Sequence, residues 1–424
     1  MKEQTTHKQF LKKTNAQLLI VLLFMVACFF TWSENVLITR AIKLVGRMGM
    51  LYASFWVYRS IIRHGAVDSL RANNPLAMAA YGLYLLLGFA SFMWSTDVGY
   101  SALQWMMTAQ TLIFCFFFIK SLYLLDLYFP DHHIRLYNLL GNSAFVLIAF
   151  FVVGGWVSPD VFIRLTHGGE EARLGGYFMN PNELGMLAGV GIAGLLFDLR
   201  RGHAKLWSVF KLLLLFYGLF VTGSRSSLIG ALLIVTFHVL QSERRQIAVA
   251  AIALLLLVSP IAIYKVVLKD GDPERMEEVL SMTGRLPFWK ALINEGLPKE
   301  PWLGFGFMRI AYKDYFQGAH TYPGKMTHNT FMQVLMNLGF VGLVLVAFQL
   351  FFTIRGIILE DAEKKLMLFC LFIPILINSF TEFGIFGESN YGILFYQLIV
   401  MYVSFQPRLF LTPQEKLYLA RKRA

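Results

Sequence analysis

The sequence predicts an all-α, polytopic membrane protein in which the whole chain, residues 1–424, forms a single integral membrane domain. Hydrophobic residues make up 57% of the chain, charged residues make up only 15%, and the mean hydropathy is +0.57. A soluble protein of this length cannot bury so much apolar surface. The apolar residues also fall into runs that are long enough to cross a bilayer, with short polar connectors between them.

These runs predict about twelve transmembrane helices. The first run follows a polar, basic N-terminal stretch and has no cleavage site of small residues. It therefore predicts a retained helix and not a signal peptide. The predicted spans are 16–32, 36–57, 75–93, 101–120, 135–156, 183–198, 207–222, 226–241, 247–264, 329–354, 366–381 and 390–406.

The distribution of lysine and arginine predicts the orientation of these spans. The connectors on the same side as both termini carry an excess of basic residues that accounts for the net charge of +12. The positive-inside rule makes that side cytoplasmic. Because the basic residues set orientation and form no concentrated patch, we expect no nucleic-acid partner. The opposite side carries the longest loop, 265–328, in which we expect short helices.

The outer loop before the sixth span combines a cation with a predicted helix start. Arg173 precedes "LGGYFMNPNELG", in which Pro181 keeps its predecessor out of helical geometry and Asn182 is suited to cap a helix. A capped helix start explains Asn182 but leaves Arg173 without a structural role. Backbone N–H groups at a helix N-terminus, together with an arginine, can also bind an anion. Arg173 and Asn182 are therefore candidate substrate-binding residues.

A second arginine lies in a tight turn between two apolar runs. In "TGSRSSLIG", Arg225 stands among hydroxyl side chains, and the serines predict an N-cap for a helix that continues from Leu228. An arginine here can snorkel to lipid phosphates. The turn is short, however, and an ionisable group at membrane depth is costly unless it is paired. We therefore favour a functional role for Arg225.

The long outer loop contributes a third arginine and a histidine. Arg285 stands at the start of a predicted helix, 286–297, whose apolar face would lie on the membrane or cover a cavity. His328 lies where the chain re-enters the membrane, in "THNTFMQVLMNLG". Arginines bind phosphate, and a histidine can accept a proton near neutral pH. Spacing alone does not show that these residues converge.

Five motifs, in this order on a frame of twelve spans, resemble the O-antigen ligase (WaaL) branch of the O-antigen ligase and polymerase superfamily. They are "RLGGYFMNPNELG", "TGSRSSLIG", "TGRLPFWKAL", "GFGF" and "THNTFMQVLMNLG". The resemblance implies a GT-C-type glycosyltransferase of the bacterial inner membrane, with its active site toward the periplasm and no metal or other cofactor. The implied donor is polysaccharide on undecaprenyl diphosphate. The implied acceptor is the sugar core of lipid A, so that the product is lipopolysaccharide.

The same resemblance assigns roles to individual residues. Arg225 and Arg285 become ligands of the donor diphosphate, and His328 becomes the catalytic residue. Arg173 becomes a further phosphate contact. This chemistry is consistent, because arginines stabilise the charge on a leaving diphosphate and a neutral imidazole can deprotonate a sugar hydroxyl. A single displacement would invert the anomeric centre.

Three basic residues in the second span form a further candidate site. Arg40, Lys43 and Arg47 fall at positions i, i+3 and i+7, on one face of a helix. Snorkelling toward lipid headgroups explains such a stripe. The functional alternative is that the stripe binds the phosphates of lipid A.

Two motifs look like metal sites but have simpler interpretations. In "DGD" at 270–272, Asp272 precedes Pro273 and therefore predicts the N-cap of a helix. The "DHH" at 131–133 is predicted to be cytoplasmic, away from the other candidate residues. We expect no metal site.

The motifs leave the acceptor open. A repeat-unit polymerase or a protein-targeting oligosaccharyltransferase would use the same donor with a different acceptor. A transporter of lipid or polysaccharide would use charged or broken helices near the middle of the bilayer. The charges of this sequence cluster at the outer edge instead, which favours an enzyme.

Overall fold

The computed structural model describes most of the chain as a bundle of helices with one small hairpin. The described residues are 2–64, 66, 74–128, 136–166, 171–200, 206–241, 285–307, 327–382, 384–387 and 390–405.

The described helices coincide with the predicted spans to within a few residues at most ends. The predicted span 247–264 and the "DGD" and "DHH" motifs lie outside the described residues. The helices are α1 (Lys2–Ala27), α2 (Val36–Arg63), α3 (Leu76–Ala90), α4 (Val98–Tyr128), α5 (Leu136–Val157), α6 (Pro159–Phe162), α7 (Pro181–Arg200), α8 (Leu206–Thr222), α9 (Arg225–Leu240), α10 (Arg285–Ala291), α11 (Thr330–Leu359), α12 (Ala362–Thr381) and α13 (Tyr391–Ser404). A 3₁₀ turn, Ser91–Met93, follows α3, and a π-helical turn, Leu292–Gly296, follows α10.

The chain is a multi-pass membrane protein. Seven helices within the described residues are long and apolar enough to cross a membrane: α1, α3 with its 3₁₀ turn, α4, α5, α7, α11 and α12. Three more, α8, α9 and α13, are equally apolar in character but shorter. The total of about twelve spans stays a prediction.

The outer loop between α5 and α7 contains strands that the all-α prediction missed. Strands β1 (Ile163–Thr166) and β2 (Glu171–Leu174) form an antiparallel hairpin in which Arg164 lies opposite Arg173. Four-residue strands are too short for their alternating pattern to stand out in a sequence. The hairpin matters because β2 carries Arg173.

Helix α7 runs through the core of the bundle and packs against α5, α8, α9 and α12. Small residues along α7 allow the neighbouring helices to approach closely. A Cβ atom at Gly191 would lie 2.6 Å from the Cβ of Ala144, and one at Gly194 would lie 2.5 Å from the carbonyl oxygen of Tyr137. This packing places the N-terminus of α7 beside the other helix ends that form the site.

Candidate functional site

A buried carboxylate, Glu382, lies at the centre of a polar cluster at one end of the bundle. It follows directly on the last residue of α12 and is only 5% exposed. One oxygen, Oε2, lies 2.6 Å from Nδ1 of His328. The other oxygen, Oε1, accepts hydrogen bonds of 2.8 Å from Nη2 of Arg285 and from Nδ2 of Asn182. Glu382 thus joins three residues that the sequence had singled out separately.

The partners of Glu382 keep it ionised. Burial by itself raises the pKa of this carboxyl group. The neighbouring His328, Arg285 and Asn182 outweigh that effect, and the pKa falls to about 2. Glu382 is therefore negatively charged at neutral pH.

His328 is held in an unusual backbone conformation at the start of α11. Its φ angle is +49°, a value that residues other than glycine rarely adopt. The next residue, Asn329, caps α11 by accepting hydrogen bonds from two of its N–H groups, and its Nδ2 donates to the carbonyl of Phe380 at 3.2 Å. On the other side, Nε1 of Trp289 donates to the carbonyl of Thr327 at 2.7 Å. The turn that carries His328 is therefore tied to both α10 and α12.

Arg285 is the first residue of α10, as the sequence predicts. Its Nη1 donates to the carbonyl of Thr381, and its Nη2 bonds to Glu382. The apolar side of α10 is partly buried within the protein. Phe288 and the following Leu292 are fully buried in a small cluster with Phe305 and Met336 of α11.

Arg173 reaches the cluster through Asn182. Its Nε donates to the carbonyl of Thr222 at 2.7 Å, and its Nη2 donates to Oδ1 of Asn182 at 2.6 Å. Asn182 in turn donates to Glu382, as described above. The prediction that Asn182 caps α7 is wrong, because the backbone N–H of Asn182 itself donates to Oδ1 of Asn180. With Asn180 as the cap, the side chain of Asn182 is available to link an arginine to a carboxylate.

Arg225 lies beside this network and is not bonded into it. Helix α9 begins at Arg225 and not near Leu228, with Ser224 in extended geometry just before it. Burial is the main cause that lowers the pKa of Arg173, and the charge of Arg225 acts in the same direction. Arg225 is half-buried and forms no hydrogen bond or ion pair with the part of the chain that the structure describes. Its donors are therefore available for a ligand.

The basic stripe of α2 does not form one exposed face. Arg47 has no exposed surface, and its guanidinium lies 3.8 Å from the centre of the Phe29 ring. The guanidinium of Arg40 lies 5.2 Å from the centre of the Tyr100 ring. Arg40 and Lys43 are half-buried. A side chain without exposed surface cannot reach a lipid phosphate in this conformation, so Arg47 drops out of the predicted lipid A site.

The sequence model of a family described as O-antigen ligase matches residues 210–347. Residues 210–347 of this chain are similar to that family. The match covers Arg225, Arg285 and His328, and it confirms the resemblance that the motifs indicate. The family belongs to a superfamily of O-antigen ligases and polymerases whose members are glycosyltransferase-like enzymes. No curated protein matches the chain.

Several residues of the polar cluster lie outside the matched residues. Arg173 and Asn182 precede the match, and Glu382 follows it. Glu382 is the residue that the sequence analysis missed. One signal was available, because Glu382 directly follows the predicted span 366–381 on the predicted outer side, where the arginines and His328 also lie.

Proposed function

We propose that this protein is an O-antigen ligase that transfers polysaccharide from undecaprenyl diphosphate to a sugar hydroxyl of the lipid A core. The reaction would take place at the periplasmic side of the bacterial inner membrane and complete lipopolysaccharide. The observation that carries this proposal is the contact of His328 and Arg285 with one buried carboxylate, Glu382. Two of these three residues lie within the O-antigen ligase match.

The proposed chemical step is a single displacement without a metal. The oxygen of the acceptor hydroxyl attacks the anomeric carbon of the donor sugar, and the bond from that carbon to the diphosphate oxygen breaks. The hydroxyl proton passes to His328, and the electron pair leaves with undecaprenyl diphosphate. The anomeric configuration is inverted because no protein nucleophile intervenes.

Glu382 determines which ring nitrogen of His328 can accept the proton in this step. A neutral imidazole that donates from Nδ1 to Glu382 carries its lone pair on Nε2, where it can accept the proton. The carboxylate also stabilises the imidazolium that forms, as the buried aspartate does in a Ser-His-Asp triad. Because Glu382 does not touch the substrate in this scheme, it is a positioning residue.

The arginines stabilise the leaving diphosphate. Arg225 has uncommitted donors and is the first ligand that we assign to it. Arg285 is the second, with N–H groups that remain after its bonds to Glu382 and Thr381 are formed. Arg173 uses Nε and Nη2 for protein contacts, which leaves Nη1 for a phosphate oxygen. Charge that develops on the leaving group is stabilised most by donors that are already in place.

The acceptor would approach along the membrane. Arg40 and Lys43 of α2 are half-buried basic residues on a helix with many exposed apolar side chains, which suits contact with the phosphates and acyl chains of lipid A. Asn182 is proposed as a positioning residue, since both ends of its amide are engaged.

A reconstituted transfer assay tests the proposal. The purified full-length protein is given lipid-linked polysaccharide, with lipid A-core present or absent. Polysaccharide joined to lipid A-core supports the ligase. Elongation of the donor alone would identify a polymerase, transfer to a peptide would identify an oligosaccharyltransferase, and the absence of any covalent product would favour a transporter. The His328→Ala protein serves as the inactive control.

A further inference from the structure

Helix α11 is broken close to its N-terminal end, and the break has a backbone that requires glycine. Gly339 has φ 62° and ψ −162°, a combination that is essentially restricted to glycine. The break divides α11 into a short part, 330–338, and a long part, 340–359. The short part begins two residues after His328, so its direction determines where His328 lies.

Residues 301–306, "PWLGFG", fill this break, and we call them the insert. In an unbroken helix the N–H groups of Phe340 and Val341 would donate to carbonyls one turn earlier in α11. Instead they donate to the carbonyls of Pro301 and Trp302, at 2.8 and 3.2 Å. Carbonyl groups of the insert therefore replace the helical carbonyls as acceptors for these two N–H groups.

The carbonyls that lost these donors are also bonded to the insert. The carbonyl of Met336 accepts from the N–H of Phe305 at 3.0 Å, and the carbonyl of Asn337 accepts from the N–H of Gly306 at 2.8 Å. All four hydrogen bonds at the break are thus made with a distant piece of chain. Unpaired backbone groups at membrane depth would be costly, and this exchange leaves none of these four unpaired.

The fit between the insert and α11 leaves no room for a side chain at two glycines. A Cβ atom at Gly339 would lie 2.3 Å from the carbonyl carbon of Trp302. A Cβ atom at Gly304, which has φ +62°, would lie 2.5 Å from the carbonyl carbon of Asn337. Non-bonded carbon atoms do not approach this closely. Both positions must therefore be glycine for the insert to pack in the break as observed.

The insert is also fixed on its other side, to the turn between α3 and α4. The N–H of Thr96 donates to the carbonyl of Phe305 at 3.1 Å, and Nε1 of Trp94 donates to the carbonyl of Leu303 at 3.1 Å. Just after the insert, the N–H of Phe307 donates to Oγ of Ser91 at 2.9 Å. The insert is therefore anchored to the turn between two membrane-spanning helices.

The insert contacts both elements that bring functional residues to Glu382. Phe305 is buried with Phe288 of α10, the helix that begins at Arg285, and with Met336 of the short part of α11. A displacement of the insert would therefore move the backbone on either side of His328 and Arg285. The bonds from the turn between α3 and α4 hold it in place.

We propose that the insert is a positioning element that aligns His328 with Glu382 by seating in the break at Gly339, and that Gly304 and Gly339 are the residues that permit it. The catalytic consequence rests on the proposed function, whereas the alignment itself does not. This proposal gives two motifs a structural role. "GFGF" lies largely within the insert, and "NLG", at the end of the last motif, forms the break in α11 that the insert fills.

The experiment uses full-length protein with Gly304→Ala, and Gly82→Ala as the matched control. A Cβ atom at Gly82 meets nothing within 4 Å, and Gly82 lies on the exposed side of α3. Hydrogen–deuterium exchange is followed by mass spectrometry in peptides covering 327–338 and, as an internal reference, 343–359. Turnover and the KM for lipid-linked polysaccharide are measured on the same preparations.

We expect Gly304→Ala to speed exchange in 327–338 and to leave 343–359 unchanged. Turnover should fall by about 10²-fold, the loss that a shift of about 1 Å can cause, with a much smaller change in KM. Gly82→Ala should match the wild type in every measurement. If Gly304→Ala does not accumulate, Ser91→Ala, which removes the acceptor of Phe307, should show the same pattern with smaller changes.

Exchange in 327–338 that stays at the wild-type rate in a folded Gly304→Ala or Ser91→Ala protein would overturn the proposal, whatever happens to turnover. Equal acceleration in 327–338 and 343–359 would also overturn it, because that pattern indicates a general loss of packing. Failure of the proposed function has a different signature. In that case the wild-type protein joins no polysaccharide to lipid A-core, while Gly304→Ala still speeds exchange in 327–338.

Discussion

Two buried polar networks in this protein differ in charge and in place. Inside the bundle, the hydroxyl of Tyr396 donates to Gln349, whose Nε2 donates to Thr353 at 3.0 Å. Nearby, Nε2 of Gln397 donates to the hydroxyl of Tyr81 at 2.9 Å. Every one of these groups is neutral, and they link α3, α11 and α13. Such hydrogen bonds hold membrane helices together.

The cluster at the helix ends is built from charges instead. Arg173 and Arg285 are linked to the buried carboxylate of Glu382, and Arg225 stands beside them without a hydrogen-bond or ion-pair partner among the described residues. The neutral groups form hydrogen bonds with one another across the helices, so this network does not require a ligand. A cluster with more cations than it can pair favours an anion, and the donor diphosphate is such an anion.

The largest difference between the two networks should come from His328. His328→Ala should lose roughly 10²–10⁴-fold in turnover while retaining donor binding, since this is the usual contribution of acid–base catalysis. His328→Lys should not restore activity, because a lysine ammonium has no lone pair to accept the proton. Turnover and donor affinity of each variant check this. Substantial activity in His328→Asn or His328→Gln would remove the role of base.

The arginines should separate catalytic from structural effects. Arg225→Ala and Arg285→Ala should each cost about 2–4 kcal/mol of transition-state stabilisation, because we propose each as a ligand of the leaving diphosphate. Arg285→Ala should also lower the thermal midpoint, since Glu382 then loses a partner, whereas Arg225→Ala should leave it unchanged. Transfer at saturating donor and thermal unfolding in detergent test both. Near-normal transfer by either variant would contradict its assignment as a diphosphate ligand.

Glu382→Gln should lower turnover by about 10–100-fold, the typical effect of losing a carboxylate that orients a functional histidine. Glu382→Asp should retain more activity than Glu382→Gln, because it keeps the charge. Donor KM should change little in both. Equal turnover in the wild type and Glu382→Gln would show that His328 does not need this partner.

The same carboxylate predicts how stability depends on pH. Its pKa is lowered from 4.5 to about 2 in the folded protein. Its contribution is therefore fully present above pH 4.5 and is lost as the pH falls toward 2. Thermal midpoints measured over this range should fall less steeply in Glu382→Gln than in the wild type. Parallel curves would show that another group controls acid stability.

Tyr396→Phe, in the neutral network, should have a smaller effect. Removing one hydrogen bond between membrane helices costs on average about 0.6 kcal/mol. We therefore expect a slightly lower free energy of unfolding and unchanged transfer. A large loss of turnover with normal stability would mean that the neutral network takes part in the reaction, and the contrast with the charged cluster would be lost.

Chelation should have the smallest effect of all. The proposed reaction draws its electrostatic stabilisation from arginines, so EDTA should leave transfer unchanged. The measurement is turnover before and after EDTA, followed by addition of magnesium or manganese. Loss of transfer that either metal restores would contradict the metal-free mechanism. It would favour the "DGD" at 270–272 as a metal site.

The sequence by itself determined the class of protein and the position of most helices. Hydropathy and helix-start signals are local, so they appear within a window of about 20 residues, the length of one span. For the same reason Arg285 could be assigned to a helix start, and Arg225 and His328 to connections between helices. The motifs around them were sufficient to indicate the family.

Only the tertiary structure decided which groups are partners. His328 and Glu382 are 54 residues apart in the chain, and Asn182 and Glu382 are 200 residues apart. No local pattern encodes such pairs, because they depend on how helices pack and not on the order of residues within one helix. Packing likewise buried Arg47 against Phe29 and seated the insert in α11. Any charge near the membrane needs a partner, and the packing of the helices determines which atom that partner is.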